Sequence, residues 1–502
     1  MKTLSATDAN FLYGETQSTP MTIASVQIMK LPAGSSATSF VEQLKHYLAE
    51  RAHLVPYMTN KIQWDKSWLG RPNWVRDTQF DINNHVQSVP VAAPGKRREL
   101  EQAVARLHEQ PMDRNHPLWR LVVITGLPDG HVAYYNAVHH ACLDGVAGQA
   151  SYNYTMDKSP VGQVPAADGP VEARPQLSLA EHAFTLAGTM MNEFVQNVFG
   201  APARLQAAGR LVQRSMNPSQ GLGALLQPAP ATPLNRSIDR GRTYATGEFK
   251  LDTVKRLSKA TNSSINDVFL TICGGALRRY LNRKNSLPLR SLIAACPVSL
   301  RRAGDATNNN QVTLMKVALG TNVQDPAQRL LEVRRSARVA REVTALAAEA
   351  MPPEVTLPGA GITTRAIAQL ANTMPLAELL GAQAANVLIS NVPGPRETLY
   401  SNGARMMSHY PVSIPAHGMG VNITVQSYAG QLWFGVTACA RTMPDADLLR
   451  DDMLLEFAAL HTALTADILD LDPSNHPEKA GAQPQVEAGF VAENDDSAVK
   501  VA

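Results

Sequence analysis

Two adjacent histidines, His139 and His140, form the pattern most suggestive of catalysis. They begin the segment HHACLDG, which ends with Asp144 and Gly145. The preceding residues HVAYYNAV alternate as a β-strand does, so only one of the two imidazoles can enter a given cleft. An imidazole has a pKa near neutrality (~6.5), which suits it to proton transfer. Asp144 can fix the loop or cap a following helix, and Gly145 permits a tight turn. General-base catalysis and a purely structural histidine pair are the two interpretations.

Two other kinds of chemistry are less favoured at this segment. A metal site would need further His, Cys or acidic ligands at regular spacing, and neighbouring strand residues diverge, so no metal is expected. Cys142 could form a covalent acyl-cysteine beside a histidine. A thiol in the turn has no defined direction, so we interpret Cys142 as a packing residue.

A second candidate group lies at Ser264-Ile-Asn-Asp267, which has the pattern of a helix start. Ser264 is a typical N-cap, and Asp267 suits the positive end of the helix. The start of a helix explains Ser264 and, in part, Asp267. Asn266 is different, because its amide could donate a hydrogen bond into a cleft.

The elements that must position these residues follow from hydrophobic periodicity. The run LWRLVVITGL, the turn PDG and the run HVAYYNAVHH predict two strands joined at Asp129-Gly130, with the histidines at the end of the second. Val26 to Leu31 predicts a further strand, and the apolar spacing between Ser39 and Ala52 predicts a helix. The chain therefore has an α/β character before its first linker.

Changes in composition divide the chain. We expect an α/β domain over 1–165, a linker over 166–240, a second α/β domain over 241–472 and a disordered tail over 473–502. Inside the linker, the capping box Ser178-Leu-Ala-Glu181 opens an amphipathic helix. Its apolar stripe indicates either packing between domains or contact with a lipid surface. Residues 201–260, with ten Lys or Arg against three Asp or Glu, leave the same two possibilities.

Composition narrows the class of protein. The 502 residues are 44% hydrophobic and 18% charged, which is typical of a globular protein with two sizeable cores. A net charge of +3 is too balanced to predict nucleic-acid binding. The N-terminus has no secretory pattern, and no apolar run reaches the ~20 residues that span a bilayer. Four widely separated cysteines are typical of a reducing cytoplasm, where we expect the protein.

The histidine segment matches HHxxxDG, and the chain thereby resembles CoA- and carrier-thioester-dependent acyltransferases similar to chloramphenicol acetyltransferase. Further motifs, in order between about Leu4 and Leu471, resemble the bacterial wax ester synthase/acyl-CoA:diacylglycerol acyltransferase family. They are Pro117-Leu118-Trp119, Asn266-Asp267, Pro297-Val298-Ser299-Leu300-Arg301, and Ser390-Asn391-Val392-Pro393-Gly394-Pro395 with Asn402-Gly403. With these motifs in register, we favour catalysis over the structural interpretation of the histidines.

The resemblance implies an α/β fold of two chloramphenicol-acetyltransferase-like domains, joined by a helical connection, with the active-site channel between them. It implies His140 as the general base, Asp144 and Gly145 as holding the loop, and His139 as supporting the geometry. Asn266 is a candidate oxyanion donor. The other residues that the resemblance assigns to the active site in a supporting role are Asp267, Pro297, Ser299, Arg301, Ser390 and Asn391.

The function implied is transfer of a long-chain acyl group from acyl-CoA to a fatty alcohol or diacylglycerol, giving wax ester or triacylglycerol. Acyl-CoA is then a substrate, and no cofactor is expected. Peripheral contact with the inner membrane or lipid droplets would fit such substrates. The alternatives are a related condensing enzyme that uses a carrier thioester or a non-lipid acceptor, and a non-catalytic lipid-binding protein.

A basic stretch offers candidates for the phosphates of CoA. Between Asp267 and Asp305 there are seven basic residues and no acidic one. Phosphates need cationic partners, although a solvated helix face explains any single arginine better. The residues are Arg278, Arg279, Arg283, Lys284, Arg290, Arg301 and Arg302.

Overall fold

The computed structural model describes residues 2–64, 70–143, 151–162, 206, 210, 227–299, 312–350, 360–380 and 383–470. Asp144, Gly145 and Arg301 lie outside the described residues, as does the side chain of Ser299. The predicted linker helix at 178–199 and the tail from 473 lie outside them too.

Strands and helices are interspersed along the described part of the chain, and the longest run of successive strands is β11 to β16. The strands are β1 (Lys2–Thr3), β2 (Thr22–Lys30), β3 (Asn60–Gln63), β4 (Asn73–Arg76), β5 (Val86–Pro90), β6 (Trp119–Thr125), β7 (His131–His139), β8 (Arg242–Lys250), β9 (Ile293–Ser299), β10 (Val312–Ala318), β11 (Val387–Val392), β12 (Tyr400–Ser401), β13 (Ala404–Met406), β14 (Tyr410–Val412), β15 (Val421–Tyr428) and β16 (Gln431–Cys439). The helices are α1 (Ala6–Gly14), α2 (Ala37–Arg51), α3 (Pro56–Thr59), α4 (Arg97–His108), α5 (Leu251–Ala260), α6 (Ile265–Arg283), α7 (Pro326–Ala350), α8 (Ala360–Thr373), α9 (Leu376–Leu380) and α10 (Ala446–Asp470).

The first large sheet has the order β12-β13-β2-β7-β6-β5, with β14 also paired to β2. Its central strand, β7, is almost entirely buried because both faces of the sheet are covered. On one face Tyr134 and Val138 pack with α2; on the other, Tyr135 and Ala137 pack with α1 and α4. This alternation buries His139 on the α1 side. The strand ends at His139, immediately before His140.

The second large sheet has the order β10-β9-β11-β15-β16-β8. Strand β11 runs parallel to its neighbours β9 and β15, and the other pairs are antiparallel. Helices α5, α6, α7 and α10 cover one face and bury the largest apolar cluster of the described residues. At about 25 cal/mol per Å² of apolar surface, this cluster is a main source of the second domain's stability.

Three strands from the second half of the chain belong to the first sheet. Strands β13 and β14 pair with β2, and β12 pairs with β13. Where β14 passes β16 of the second sheet, Gly435 lies so close that a Cβ there would be 2.0 Å from the carbonyl oxygen of Pro411. The two sheets are therefore joined by strand exchange as well as by surface contact.

Several local predictions are confirmed. The turn before β7 contains Asp129 and Gly130, both with positive φ. The strand predicted over Val26 to Leu31 overlaps the second half of β2, which ends at Lys30. The predicted helix corresponds to α2, whose buried face includes Phe40, Leu44 and Leu48. Within the described residues, no helix has the length and apolar character that crossing a bilayer requires.

Candidate functional site

Hydrogen bonds from both sides hold the backbone of the histidine pair. The His139 N–H donates to the carbonyl of Leu118 at 3.0 Å, at the start of β6. The His140 N–H donates to the carbonyl of Met21 at 2.8 Å, just before β2. The predicted motif Pro117-Leu118-Trp119 thus contacts the pair directly. Trp119 is anchored in turn, since its Nε1 donates to the carbonyl of Met58 at 3.0 Å.

The imidazole of His139 is fully buried and oriented by its neighbours. The Ala141 N–H donates to its Nδ1 at 3.0 Å, so in the neutral ring the proton is on Nε2. That Nε2 lies 3.5 Å from Oε1 of Glu15. His139 therefore lies between its own strand end and a buried carboxylate, which supports the geometric role expected from the sequence.

The imidazole of His140 is less buried and stacks on an aromatic ring of α1. The centroids of Phe11 and His140 are 4.1 Å apart, and the planes differ by 7°. Stacking restricts the rotation of the imidazole and so fixes the direction of its ring nitrogens. The Phe11 contact was not predicted, because nothing local to either residue signals it.

In the second domain the structure brings two predicted residues together. Nδ2 of Asn391, on β11, donates to Oδ1 of Asn266 at 3.4 Å. Asn266 is buried, and its Nδ2 has no hydrogen-bond partner among the described residues. A buried amide N–H without a partner costs free energy, and such a group is suited to bind a developing oxyanion.

The start of α6 is the capping box that the sequence predicts. Ser264 Oγ accepts the Asp267 N–H at 3.1 Å, and Asp267 Oδ2 accepts the Ser264 N–H at 2.9 Å. Oδ1 of Asp267 also lies 3.6 Å from Nη1 of Arg341 on α7. These contacts give Asp267 a structural part in placing the first turn, which carries Asn266.

The remaining described support residues lie on neighbouring strands. Pro297 is on β9 opposite Leu314, beyond the last residue at which β9 pairs with β11. A proline fits there because no N–H is needed on the open side. Ser390 lies on β11 opposite Thr424 of β15. Neither contributes an ionisable group to the site.

Cys142 has the packing role that we expected. Its Sγ lies 3.8 Å from the carbonyl oxygen of Leu118. Burial raises the pKa of this thiol far above its ordinary value, with a smaller contribution from Asp8. The thiolate needed for covalent catalysis is therefore disfavoured.

The basic stretch of the second domain is occupied by partners within the protein. Carboxylates of α10 and the residue before it bind three members: Arg279 with Glu456 at 2.9 Å, Arg283 with Asp452 at 2.6 Å, and Lys284 with Asp445 at 2.6 Å. Arg278 and Arg290 donate to backbone carbonyls. These five residues serve the packing of the domain, which weakens the suggestion that the stretch binds CoA phosphates.

Glu15 and Arg114 are site-forming residues that sequence reasoning missed. Glu15 directly follows α1, and its Oε2 accepts from Nη2 and Nε of Arg114 at 2.5 and 3.1 Å. Burial alone would raise the pKa of Glu15, but His139 and Arg114 outweigh it and lower this pKa to about 2. The pair is 99 residues apart in sequence, so no local pattern could reveal it.

Both halves of the chain match models of one protein family. The wax ester synthase/diacylglycerol acyltransferase catalytic domain matches residues 4–269, and the C-terminal domain of the same family matches 308–461. A Mycobacterium tuberculosis protein provisionally named a diacylglycerol O-acyltransferase is 34% identical over 88% of this chain and 95% of its own length. The O-acyltransferase WSD of Acinetobacter baylyi is 30% identical over 88% of this chain and 93% of its own.

Solved structures agree with these matches. The wax ester synthase/diacylglycerol acyltransferase of Marinobacter aquaeolei VT8 superposes with a TM-score of 0.65 and 27% identity, covering 92% of this chain and all of its own. The first condensation domain of the CDA synthetase has a TM-score of 0.55 at 14% identity, over 92% and 96% of the two chains, and so shares the fold. The predicted α/β fold of two acyltransferase-like domains is confirmed, and the chain belongs to the wax ester synthase/diacylglycerol acyltransferase family.

Proposed function

We propose that this protein transfers a long-chain acyl group from acyl-CoA to the hydroxyl of a fatty alcohol or a diacylglycerol, with His140 as the general base. The products are a wax ester or a triacylglycerol, and free CoA. The observation that carries the proposal is the constrained histidine pair at the end of β7, in a chain whose family performs this class of reaction.

The proposed reaction is a direct attack. His140 takes the proton of the acceptor hydroxyl as its oxygen forms a bond to the thioester carbonyl carbon. The resulting oxyanion is stabilised by the amide of Asn266. The C–S bond then breaks, the ester is released, and the CoA sulfur receives the proton from His140. Because the thioester already activates the acyl group, the proposed chemistry needs no separate cofactor.

The test is CoA release from palmitoyl-CoA, measured with hexadecanol or a diacylglycerol as acceptor. His140→Ala should lower kcat by about 10²–10⁴-fold, as expected for a lost general base, while the Tm stays close to that of the wild type. A folded His140→Ala protein with wild-type turnover would overturn the assignment of the base. The ratio between acceptors identifies the principal product.

The same assay separates the alternatives. A condensing enzyme of this fold would release no CoA with either lipid acceptor. It should instead accept a thioester attached to a carrier protein. A non-catalytic lipid-binding protein would bind palmitoyl-CoA without any acceptor-dependent release.

We further propose that α8 and α9 bring the protein into peripheral contact with a lipid surface, from which the insoluble acceptor is drawn. Ile367 and Leu370 lie on α8 and Met374 directly follows it; the three residues are at helical spacing and are exposed by 65%, 46% and 43%. Leu379 of α9 is exposed by 64%. Exposed apolar stripes of this kind favour insertion at a membrane interface.

This contact can be tested by flotation with vesicles of phosphatidylcholine and diacylglycerol. The triple variant Ile367→Ser, Leu370→Ser, Met374→Ser should lose vesicle binding. Leu289→Ser is the matched control, because Leu289 is 98% exposed but lies on the loop between α6 and β9. Equal flotation of the wild type and the triple variant would contradict the proposal.

A further inference from the structure

We infer that Glu15 is a positioning residue for His140, acting through the backbone of Met21 and the imidazole of His139. The inference rests on the proposed role of His140 as the base. The side chain of Glu15 is 6% exposed, and Glu15 lies outside the HHxxxDG motif.

The first path runs through the main chain. Oε1 of Glu15 accepts the Met21 N–H at 3.0 Å, and the carbonyl of Met21 accepts the His140 N–H at 2.8 Å. One residue, Met21, thus connects the carboxylate to the backbone of His140. Because a buried N–H without a partner is costly, removing the carboxylate should displace Met21, and His140 with it.

The second path runs through the neighbouring histidine. Nε2 of His139 faces Oε1 of Glu15 at 3.5 Å, while Nδ1 accepts the Ala141 N–H. The two residues flanking His140 are therefore joined through one imidazole, and Glu15 lies at its far end. The carboxylate favours the tautomer in which Nε2 carries the proton, and this keeps Nδ1 available to Ala141.

The carboxylate is itself held in place. Arg114 binds Oε2 with two nitrogens, and its Nη2 also donates to the carbonyl of Leu12 in α1 at 3.0 Å. Phe11, which stacks on His140, lies four residues before Glu15, and residues at this spacing share one side of a helix end. The end of α1 therefore supplies both the ring against His140 and the carboxylate behind it.

The loop between Glu15 and Met21 is fixed from the second domain. Ser18 Oγ donates to Oδ1 of Asn372 at 2.5 Å and lies 3.0 Å from Nε2 of His417. The carbonyl of Ser18 accepts from Nη2 of Arg242 at 2.6 Å. Because the middle of the loop is anchored in this way, the position of Met21 at the end of the loop depends on its hydrogen bond to Glu15.

The test compares kcat and KM in the palmitoyl-CoA and hexadecanol assay. Glu15→Gln keeps a side-chain oxygen that can accept the Met21 N–H, whereas Glu15→Ala has no side-chain acceptor. We expect kcat to fall by about 10- to 100-fold in Glu15→Ala and by less in Glu15→Gln, because small displacements of a reacting group cost this much. In both variants, the KM for each substrate should stay within about twofold of the wild-type value, because substrate binding is unchanged.

Controls separate positioning from general destabilisation. Glu456→Gln removes another buried, arginine-paired carboxylate, on α10, and should lower the Tm without lowering kcat per folded molecule. Arg114→Lys leaves Glu15 in place but loosens it, and should lower kcat less than Glu15→Ala does. If the Glu15 variants do not fold, Arg114→Lys decides: unchanged kcat in that variant would overturn the inference.

His140→Ala is measured beside them. An inactive His140→Ala protein, together with a Glu15→Ala protein of wild-type kcat, would overturn the positioning role alone. Wild-type activity in His140→Ala would overturn the assignment of the base, and the inference with it. A loss of activity in Glu15→Ala that appears only as a raised KM would also count against positioning.

Discussion

At the scale of single residues, the site depends on polar groups that are buried. One is Nδ2 of Asn266, which has no hydrogen-bond partner in the part of the chain that the structure describes, and another is the carboxylate of Glu15. Each is unfavourable for folding unless something compensates it. For Glu15 the compensation is Arg114 and His139. The resting protein bears the cost at Asn266, and we propose that its amide binds the oxyanion only during the reaction.

Asn266→Ala should lower kcat by about 10²–10³-fold, the cost of losing one oxyanion donor, with little change in KM. Steady-state kinetics of CoA release measure this. The matched control is Asn235→Ala, which removes another buried amide, one that donates to the carbonyl of Gly418 at 2.7 Å. That control should lose stability and keep kcat, so equal kinetics in the two variants would contradict the oxyanion role.

The pKa of Glu15 predicts a pH dependence of stability. Folding lowers this pKa from 4.5 to about 2, so the charged carboxylate contributes its full stabilisation above about pH 4.5 and loses it as the pH falls towards 2. The contribution is on the order of 3 kcal/mol. The difference in unfolding free energy between wild type and Glu15→Gln should therefore shrink over this range. Urea denaturation at pH 7, 4 and 3 measures it, and a constant difference would contradict the assignment.

At the scale of elements, the ends of helices and strands carry the site. His140 follows the last residue of β7, Asn266 is in the first turn of α6, and Glu15 follows α1. Backbone groups at such ends lack partners within their own element, so they bind neighbouring loops and side chains. This is why the carbonyls of Leu118 and Met21, both outside regular pairing at those atoms, hold the histidines.

Ser264→Ala should cost about 1 kcal/mol of unfolding free energy, because it removes the N-cap of α6. It should also lower kcat modestly, by less than 10-fold, since the first turn orients Asn266. Ser36→Ala removes the N-cap of α2, where Ser36 Oγ accepts the Ser39 N–H at 3.2 Å. That control should lower stability similarly and leave kcat alone. Denaturation and kinetics on both variants decide whether the cap of α6 serves the site.

At the scale of the whole molecule, the two sheets are connected by strands that cross from the second domain into the first sheet. Strands β12 to β14 leave the second domain to pair in the first sheet, and β11, which carries Asn391, precedes them. The loop at Ser18 is anchored in the opposite direction, to Asn372 and His417. Relative motion of the two domains would break these contacts, so we expect the histidines and asparagines to keep one arrangement.

Gly435→Ala tests this connection. A Cβ at Gly435 would meet the Pro411 carbonyl, so β14 and β16 must separate, at a cost of about 1–3 kcal/mol or more. We expect a lower Tm and a lower kcat, because the separation disturbs the register between domains. Gly241→Ala is the control, since its nearest atom would be 3.4 Å away. A Gly435→Ala protein that behaves like this control would show that the contact is unimportant.

The sequence alone determined what depends on consecutive residues. The hairpin that ends at His139 and His140, helix α2 and the capping box at Ser264 each follow from periodicity or from a pattern four residues long. The order of the motifs was enough to identify the family and its fold. Such features are local because hydrogen bonds and side-chain directions within one element repeat at fixed spacing.

Only the tertiary structure decided which distant residues meet. Glu15 and Arg114 are separated by 99 positions, and Asn266 and Asn391 by 125, and no local spacing connects either pair. From the sequence, the arginines of α6 were candidates for binding a phosphate. In the structure, carboxylates of α10 form ion pairs with Arg279 and Arg283. Burial and ion pairing depend on elements brought together by the whole core, so the groups that orient His140 became visible only in the folded chain.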